Sequence, residues 1–226
     1  MMFKTIYEYE DFAQSTTNED GSRVYVNATG VAYPSATTVL SVLSRDAIAA
    51  WKRRVGDEEA NKISSQSSTR GTKIHSLTES YLKNEDLEAA FAKNKATILD
   101  IELFGKFKHV LAAIDNIHCQ ELALYSDHLR MAGRVDCIAE FEGRRAVIDF
   151  KTANKAKKKE HISSYFMQAA AYAIMYEERT GIPVPWLVIL IAVEDDNPQV
   201  FIERRDDWTK ELLRTRDYYE KGYWTS

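Results

Sequence analysis

The 226-residue sequence contains only two cysteines, Cys119 and Cys137. Two thiolates cannot complete a four-cysteine zinc site or an iron–sulfur cluster, so no such cluster is expected. Both cysteines sit in apolar, strand-like sequence, where reduced, buried thiols are the ordinary state. Four prolines and nine glycines are too few for a collagenous or low-complexity chain. No stretch approaches the ~18 uninterrupted apolar residues of a membrane span; the best apolar run, Val184 to Val193, is strand-sized. The opening MMFKTIYEYEDF has neither the basic region nor the apolar core of a secretory signal, and it is too acidic for a transit peptide. Together these absences give the expectation of a protein of a reducing cytoplasm with no membrane partner. Neither sign of charge dominates: 30 Lys+Arg face 34 Asp+Glu, a formal net charge of −4. That excludes a generic nucleic-acid coat but leaves room for a local basic patch.

Hydrophobic residues make up 45% of the sequence and charged residues 28%, enough to build a core without disulfide or metal staples. The length fits one domain, 1–226. Two parts are expected within it: a mainly helical region, 1–115, with a short β start, and a sheet-and-helix core, 116–226. Lys4–Tyr9 and Arg23–Val26 read as strands, and Asn18–Gly21 and Asn27–Gly30 as turns. Ser35 is a predicted N-cap for a helix carrying Val39, Leu40 and Val42. Helical patterns run from about Arg45 to Asp115, weakest at Gly56, at the serine-rich stretch 64–68 and at Gly105. Gln120–Tyr125, Arg134–Phe141 and Arg145–Lys151 read as three strands, the last two joined by a tight Glu142-Gly143 turn. A helix of about Glu160–Thr180 follows, ended by Gly181 and Pro183. Trp186–Val193 and Gln199–Glu203 are further strands, and Asp206–Tyr219 closes the chain as a helix. The order predicts an α/β or α+β class with a mixed sheet; α/β is the class expected.

The chemistry is concentrated between Gly133 and Lys151. Period-two alternation puts Arg134, Asp136 and Ile138 on one strand face and Val135, Cys137, Ala139 and Phe141 on the other. On the next strand Asp149 and Lys151 share a face with Val147. A tight hairpin would bring Asp136 close to this carboxylate–ammonium pair. Paired carboxylates suit a hard divalent cation such as Mg²⁺, which takes oxygen ligands and keeps several waters. A neighbouring lysine could orient water or stabilise charge developing on a phosphodiester. Asp-x-Lys alone occurs often by chance and is then merely an ion pair at a strand end.

The neighbours add weight. Glu121, on the preceding strand, could complete or support the acidic cluster, or be a solvated strand residue. Lys151, Lys155, Lys157, Lys158 and Lys159 form a basic run in an acidic chain; beside a cation site it reads as phosphate attraction rather than a solvated face. On the following helix, Ile162, Tyr165, Phe166, Ala169, Ala173 and Tyr176 form an apolar stripe. His161, Gln168 and Tyr172 lie along its edge, with Tyr165 shared. Such groups suit contacts to a nucleic-acid strand, by hydrogen bonding or stacking, or plain flank packing. Upstream, Ile74, Leu77, Thr78 and Tyr81 form a helical stripe flanked by His75 and Glu79. His75 there could ligate a metal or bond a phosphate, or be structural.

Taken in order, Gly71-x-x-x-His75, Glu121, Gly133-Arg-Val-Asp136, Asp149-Phe-Lys151 and Tyr165-x-x-Gln168-x-x-x-Tyr172 resemble the PD-(D/E)XK nuclease superfamily, in its RecB-like exonuclease branch. Pro34-Ser-Ala-Thr-Thr38, Trp51 and Arg70-Gly71 look further like the mitochondrial genome maintenance exonuclease sub-family and its phage relatives. The resemblance runs from about Tyr33 to Val193. It implies a restriction-endonuclease-like αβββαβ core with a helical N-terminal region. It implies Asp136, Asp149 and Lys151 as catalytic residues. It further implies that Mg²⁺, with Mn²⁺ substituting, is bound by Asp136, Asp149, the Phe150 carbonyl and His75, with Glu121 in support. DNA contacts would come from Arg70, Lys155, Lys157, Lys158, Lys159, His161, Tyr165, Gln168 and Tyr172. The implied activity is hydrolysis of DNA from free ends, mostly of single strands, in replication, recombination or repair, among the proteins of those processes. Val135 stands where the superfamily name has proline. A structure-specific endonuclease, or a DNA-binding module without catalysis, are the competing readings. The intact Asp136/Asp149/Lys151 set argues against the last.

Overall fold

A strand that is apolar at every position must be covered on both sheet faces, and Trp186–Val193 is such a strand. In the computed structural model, which describes residues 2–18 and 21–222, it lies inside a five-stranded sheet. The elements are β1 (Ala13–Thr17), β2 (Arg23–Asn27), β3 (Ala32–Pro34), α1 (Ala36–Leu40), α2 (Arg45–Val55), α3 (Asp57–Leu82), α4 (Leu87–Lys93), α5 (Ile98–Leu111), β4 (Ile114–Ser126), β5 (Met131–Phe141), β6 (Arg144–Ala153), α6 (Ser163–Thr180), β7 (Trp186–Val193), β8 (Gln199–Arg204) and α7 (Arg205–Glu220). Single 3₁₀ turns, Ser41–Leu43 and Lys159–His161, precede α2 and α6. The large sheet has the order β4-β5-β6-β7-β8, with only β6 and β7 parallel. Parallel neighbours need a crossover, and α6 supplies it. The segment α5-β4-β5-β6-α6-β7 is the expected αβββαβ core. Among the described residues no helix is long and apolar enough to cross a membrane.

Local chemistry sets several boundaries as expected. Ser35 caps α1, its Oγ accepting from the Thr38 N–H at 3.0 Å, a bond worth about 1 kcal/mol. Glu142 and Gly143 both have positive φ, 50° and 73°, as a two-residue hairpin turn requires. Gly181 ends α6 in the left-handed conformation. Gly56, with φ 86°, separates α2 from α3. The serine-rich stretch and Gly105 break nothing, since α3 and α5 run through them. Serine costs a helix only about 0.5 kcal/mol relative to alanine. Of the expected turns, Asn27–Gly30 is present, the Asn27 side chain accepting from the Thr29 and Val31 N–H groups. The Asn18–Gly21 turn includes Glu19 and Asp20, which lie outside the described residues.

Lys4–Tyr9 is not the expected strand. It forms one isolated parallel bridge, Thr5 with Ile117, within a strap over β4. The cause is β4 itself, whose register shifts between Asp115 and Cys119, so a neighbour cannot pair continuously. The strap meets β4 again where Phe12 N–H donates to the Ala123 carbonyl at 2.9 Å.

The core has two main layers. Leu122, Val135, Ile138, Val147 and Ile189 pack with α1, α6 and α7 on one face of the sheet. Cys137, Ala139, Ile148, Phe150 and Leu190 pack with α3 and α5 on the other. A smaller cluster, Ala13, Tyr25, Tyr33, Ala123 and Ala132, lies under the β1–β3 sheet. These memberships correct the simple alternation on β5. Val135 and Ile138 share the α6 side, so Arg134 does not share a face with Ile138. The alternation reverses between them, at Asp136, and again in β4 between Cys119 and Leu122, at Glu121.

Candidate active site

The reversal coincides with a split in the sheet. β5 pairs with β6 only from Phe141↔Arg144 to Cys137↔Ile148. Beyond that rung the Phe150 N–H donates not to a backbone carbonyl but to Asp136 Oδ2, at 2.8 Å. The ladder thus gives way to a cleft with a carboxylate in its throat. Three elements fill the cleft with ligating groups: His75 from α3, Glu121 from β4 and Asp136 from β5. Each offers one ligand atom, and these atoms lie within 4.8 Å of one another. His75 Nδ1 is 3.6 Å from Asp136 Oδ1, and its ring stands edge-on to Phe150, with centroids 6.2 Å apart. They open into a cavity of about 470 Å³ that also takes Arg23, Tyr25, Thr37, Glu79, Lys151 and Gln168 into its wall.

On β6 the strand period holds. Asp149 and Lys151 face α6, and the Lys151 Nζ sits 2.5 Å from Asp149 Oδ2 and 5.1 Å from the centre of the Tyr165 ring. Asp149 is buried, and burial raises its pKa to about 6 against the opposing pull of the Lys151 ammonium. Burial works against the Lys151 charge too, but Asp149 and Asp136 outweigh it, so the ammonium is kept. Burial, reinforced by the charges of Asp136 and Glu79, raises Glu121 to about 7. The mutual repulsion of these carboxylates, only partly offset by Arg134 and Lys83, favours a cation between them. Asp149 stands apart from the three-residue ligand group, tied to its lysine.

The other sequence-predicted residues are distributed around this centre. Lys151, His161, Tyr165 and Gln168 line a second cavity of about 470 Å³, with Leu40, Leu43 and serines of the α1–α2 turn opposite. It shares Thr37, Lys151 and Gln168 with the first. Tyr172 was expected along a helix edge but is buried, because α6 is covered by the sheet on one side and α7 on the other. Gln168 Nε2 donates to its hydroxyl at 3.2 Å, and the ring lies so near Gly133 that a Cβ there would be 2.7 Å from it. Glycine in the Gly133-Arg-Val-Asp136 motif is therefore a packing requirement. Lys155, Lys157 and Lys158 are exposed, and Lys159 pairs with Glu203 on β8. Gln199 holds the loop by bonding both the N–H and the carbonyl of Lys157. Arg70 is not in the cavity wall; it pairs with Glu194 and donates to Asn154 at 2.6 Å, tying α3 to the far ends of β6 and β7. Cys119 and Cys137 are buried, and burial raises Cys119 to about 12 and Cys137 well above the usual thiol range.

Sequence reasoning missed Arg23 and Tyr25, which reach the cavity from the small N-terminal sheet. No local pattern marks them, because their place depends on how that sheet docks over β4 and β5.

The sequence pattern of the PD-(D/E)XK nuclease superfamily matches residues 43–219. The chain belongs to that superfamily. Mitochondrial genome maintenance exonuclease 1 of Homo sapiens is 28% identical over 185 residues, covering 76% of this chain and 52% of the relative. Its counterpart in Mus musculus is 27% identical over 184 residues, covering 76% and 53%. The chain spans about half the length of these curated relatives. A crystal structure assigned as an exonuclease, from Eubacterium rectale, aligns with a TM-score of 0.44 at 15% identity over 68% of each chain.

Proposed function

We propose that this chain hydrolyses phosphodiester bonds of DNA with a divalent cation, Mg²⁺ or in its place Mn²⁺, working from free ends and chiefly on single strands. The observation that carries this reading is one cavity holding both the His75–Glu121–Asp136 donor set and the Lys151 ammonium anchored by Asp149. Two carboxylates and an imidazole, with no sulfur, fit hard and borderline divalent ions. When bound, such an ion neutralises charge on the phosphodiester and lowers the pKa of the attacking water.

The chain's own groups do the rest. Asp136 is fixed by the Phe150 N–H. In a strand the N–H and C=O of one residue point to the same side, which supports the Phe150 carbonyl as a further ligand beside it. Asp149 holds Lys151 in place and adds negative charge on the cation side. Lys151 offers a preorganised positive charge to a phosphoryl oxygen. Tyr165, His161 and Gln168 form the wall along which the next nucleotide would lie, and Lys155, Lys157 and Lys158 attract the backbone. DNA as substrate and ends as the point of attack are supported by the mitochondrial relatives, which are genome maintenance exonucleases.

The test is digestion of end-labelled linear single-stranded, linear double-stranded and circular single-stranded DNA, with Mg²⁺, Mn²⁺ or EDTA. The expected result is loss of the linear single strand with either ion, none in EDTA, and an intact circle. A cleaved circle would move the reading to an endonuclease. Binding without cleavage under every ion would leave a non-catalytic DNA-binding module.

A further inference from the structure

We propose that Arg134 and Asp11 are positioning residues for the cation site. Together they hold Glu121 in the backbone conformation that aims its carboxylate at Asp136 and His75. The inference rests on the cation site proposed above and concerns how that site is kept in shape.

Glu121 has φ 50°, a left-handed conformation uncommon outside glycine, Asn and Asp. Other described non-glycine residues with positive φ have local reasons for it. Asn84 and Lys95 follow helix ends, Arg130 and Glu142 lie in hairpin turns, and Asn116 lies at the β4 irregularity. Glu121 alone among them lies between two rungs of one ladder, Gln120↔Cys137 and Leu122↔Val135. Such a conformation persists only when its surroundings over-determine it.

The surroundings are specific. Arg134 Nη1 donates to the Glu121 carbonyl, and Nη2 donates to Asp11 Oδ2 at 2.6 Å. Asp11 Oδ1 in turn accepts the Ala123 N–H at 2.8 Å, two residues beyond Glu121. A planar guanidinium is suited to this two-ended task, since its donors are fixed in a fork. The N-terminal strap is thereby joined to the turned peptide of β4 by a single side chain of β5. The Arg134 position, two residues before Asp136, links both carboxylate ligands to one brace.

The sign of the effect separates positioning from charge. Arg134 is a cation lining a cation site; on electrostatics alone its removal should tighten metal binding. As a brace its removal should weaken binding, by about tenfold or more, the scale seen when a supporting partner of a metal ligand is lost. The experiment is Mn²⁺ binding to the full chain without DNA, by titration calorimetry and by the spectrum of free Mn²⁺. It compares the parent with Arg134→Ala, Arg134→Lys, Asp11→Ala, the Arg134→Ala/Asp11→Ala double variant and Glu121→Gln. Arg134→Ala is expected to weaken Mn²⁺ binding, Arg134→Lys to recover part of it, and Asp11→Ala to weaken it less. The double variant should be little worse than Arg134→Ala, because both act through one relay. Cleavage at saturating Mn²⁺ should stay near the parent rate for Asp11→Ala, the half-saturating concentration carrying the change. Unchanged or tighter Mn²⁺ binding by Arg134→Ala overturns the inference. Should that variant fail to fold, unchanged binding by Asp11→Ala overturns it equally. A parent that binds no Mn²⁺, or a Glu121→Gln variant that binds like the parent, instead sinks the cation site itself.

Discussion

The two halves of the β5–β6 pair obey different rules. From Cys137 to Phe141, opposite Arg144 to Ile148, backbone bonds are exchanged rung by rung and the side chains alternate cleanly between the two core layers. From Gly133 to Asp136, opposite Asp149 to Lys151, there are no rungs. There a carboxylate takes the Phe150 N–H, a glycine lies against a tyrosine ring, and an aspartate is buried with a lysine. A buried backbone donor must be satisfied by something, and where the strands part, ionisable side chains do it. The paired half keeps its charged side chains, Glu140, Arg144 and Arg145, at its outer end, and its inner rungs are apolar because the ladder consumes their backbone polar groups. The open half must carry charge, and that charge is what a cation and a phosphodiester would meet.

The contrast can be broken from the open half. Asp149→Asn should remove nearly all cleavage, measured as single-turnover decay of labelled DNA, while circular dichroism shows the fold retained. Full activity would mean that the buried pair is only structural. Lys151→Ala should bind single-stranded DNA about as well as the parent, yet cleave it on the order of a hundredfold more slowly, the cost of losing one preorganised charge-stabilising group. Lys151→Arg should rescue it poorly. A parallel loss of binding and rate would make Lys151 one more phosphate contact.

Gly133→Ala tests packing in the same half. Its Cβ would be 2.7 Å from the Tyr172 ring, so the variant should lose about 1–3 kcal/mol to overpacking in thermal or urea unfolding. Combining it with Tyr172→Leu should recover part of that. A neutral Gly133→Ala would show that the ring has room to move.

A smaller effect concerns pH. The Glu121 carboxyl is raised from 4.5 to about 7, by burial first and then by Asp136 and Glu79. Its folded pKa exceeds its unfolded one, so the folded state holds the proton more tightly. The corresponding stability is full below the unfolded value and is lost as pH rises through about 7. Asp149, raised to about 6, acts in the same direction over a lower window. In EDTA the melting temperature should therefore fall between about pH 4.5 and 7, and Glu121→Gln should flatten the upper part of that fall. An identical slope in the variant would assign the fall elsewhere.

The smallest effect is expected outside the cleft. Lys157→Ala and Lys158→Ala together should lower the log–log salt slope of single-strand binding by roughly 0.7 per lost phosphate contact, with little change in the chemical step. Adding Lys159→Ala should do less, because Lys159 is paired with Glu203. An unchanged slope would make the run a solvated face.

Element order, the Glu142-Gly143 turn, the Ser35 cap and the αβββαβ succession were legible in the sequence, because each depends on neighbours a few residues away. So was the Asp149/Lys151 face, since β6 keeps its period beside its parallel partner β7. The facing of Arg134, the burial of Tyr172 and the strap in place of a first strand were not. Each depends on contacts made across the fold: the reversal at Glu121 and Asp136, the cover of α6 by α7, and the irregularity in β4. The sequence by itself determined which charged residues this protein carries into its sheet, since charges among apolar strand residues are visible in any order of reading. Only the tertiary structure decided that Glu121 and His75 join Asp136 while Asp149 turns to Lys151. The reason is that a left-handed residue and a split ladder override the period of two, and both are held by partners distant along the chain, Asp11 among them.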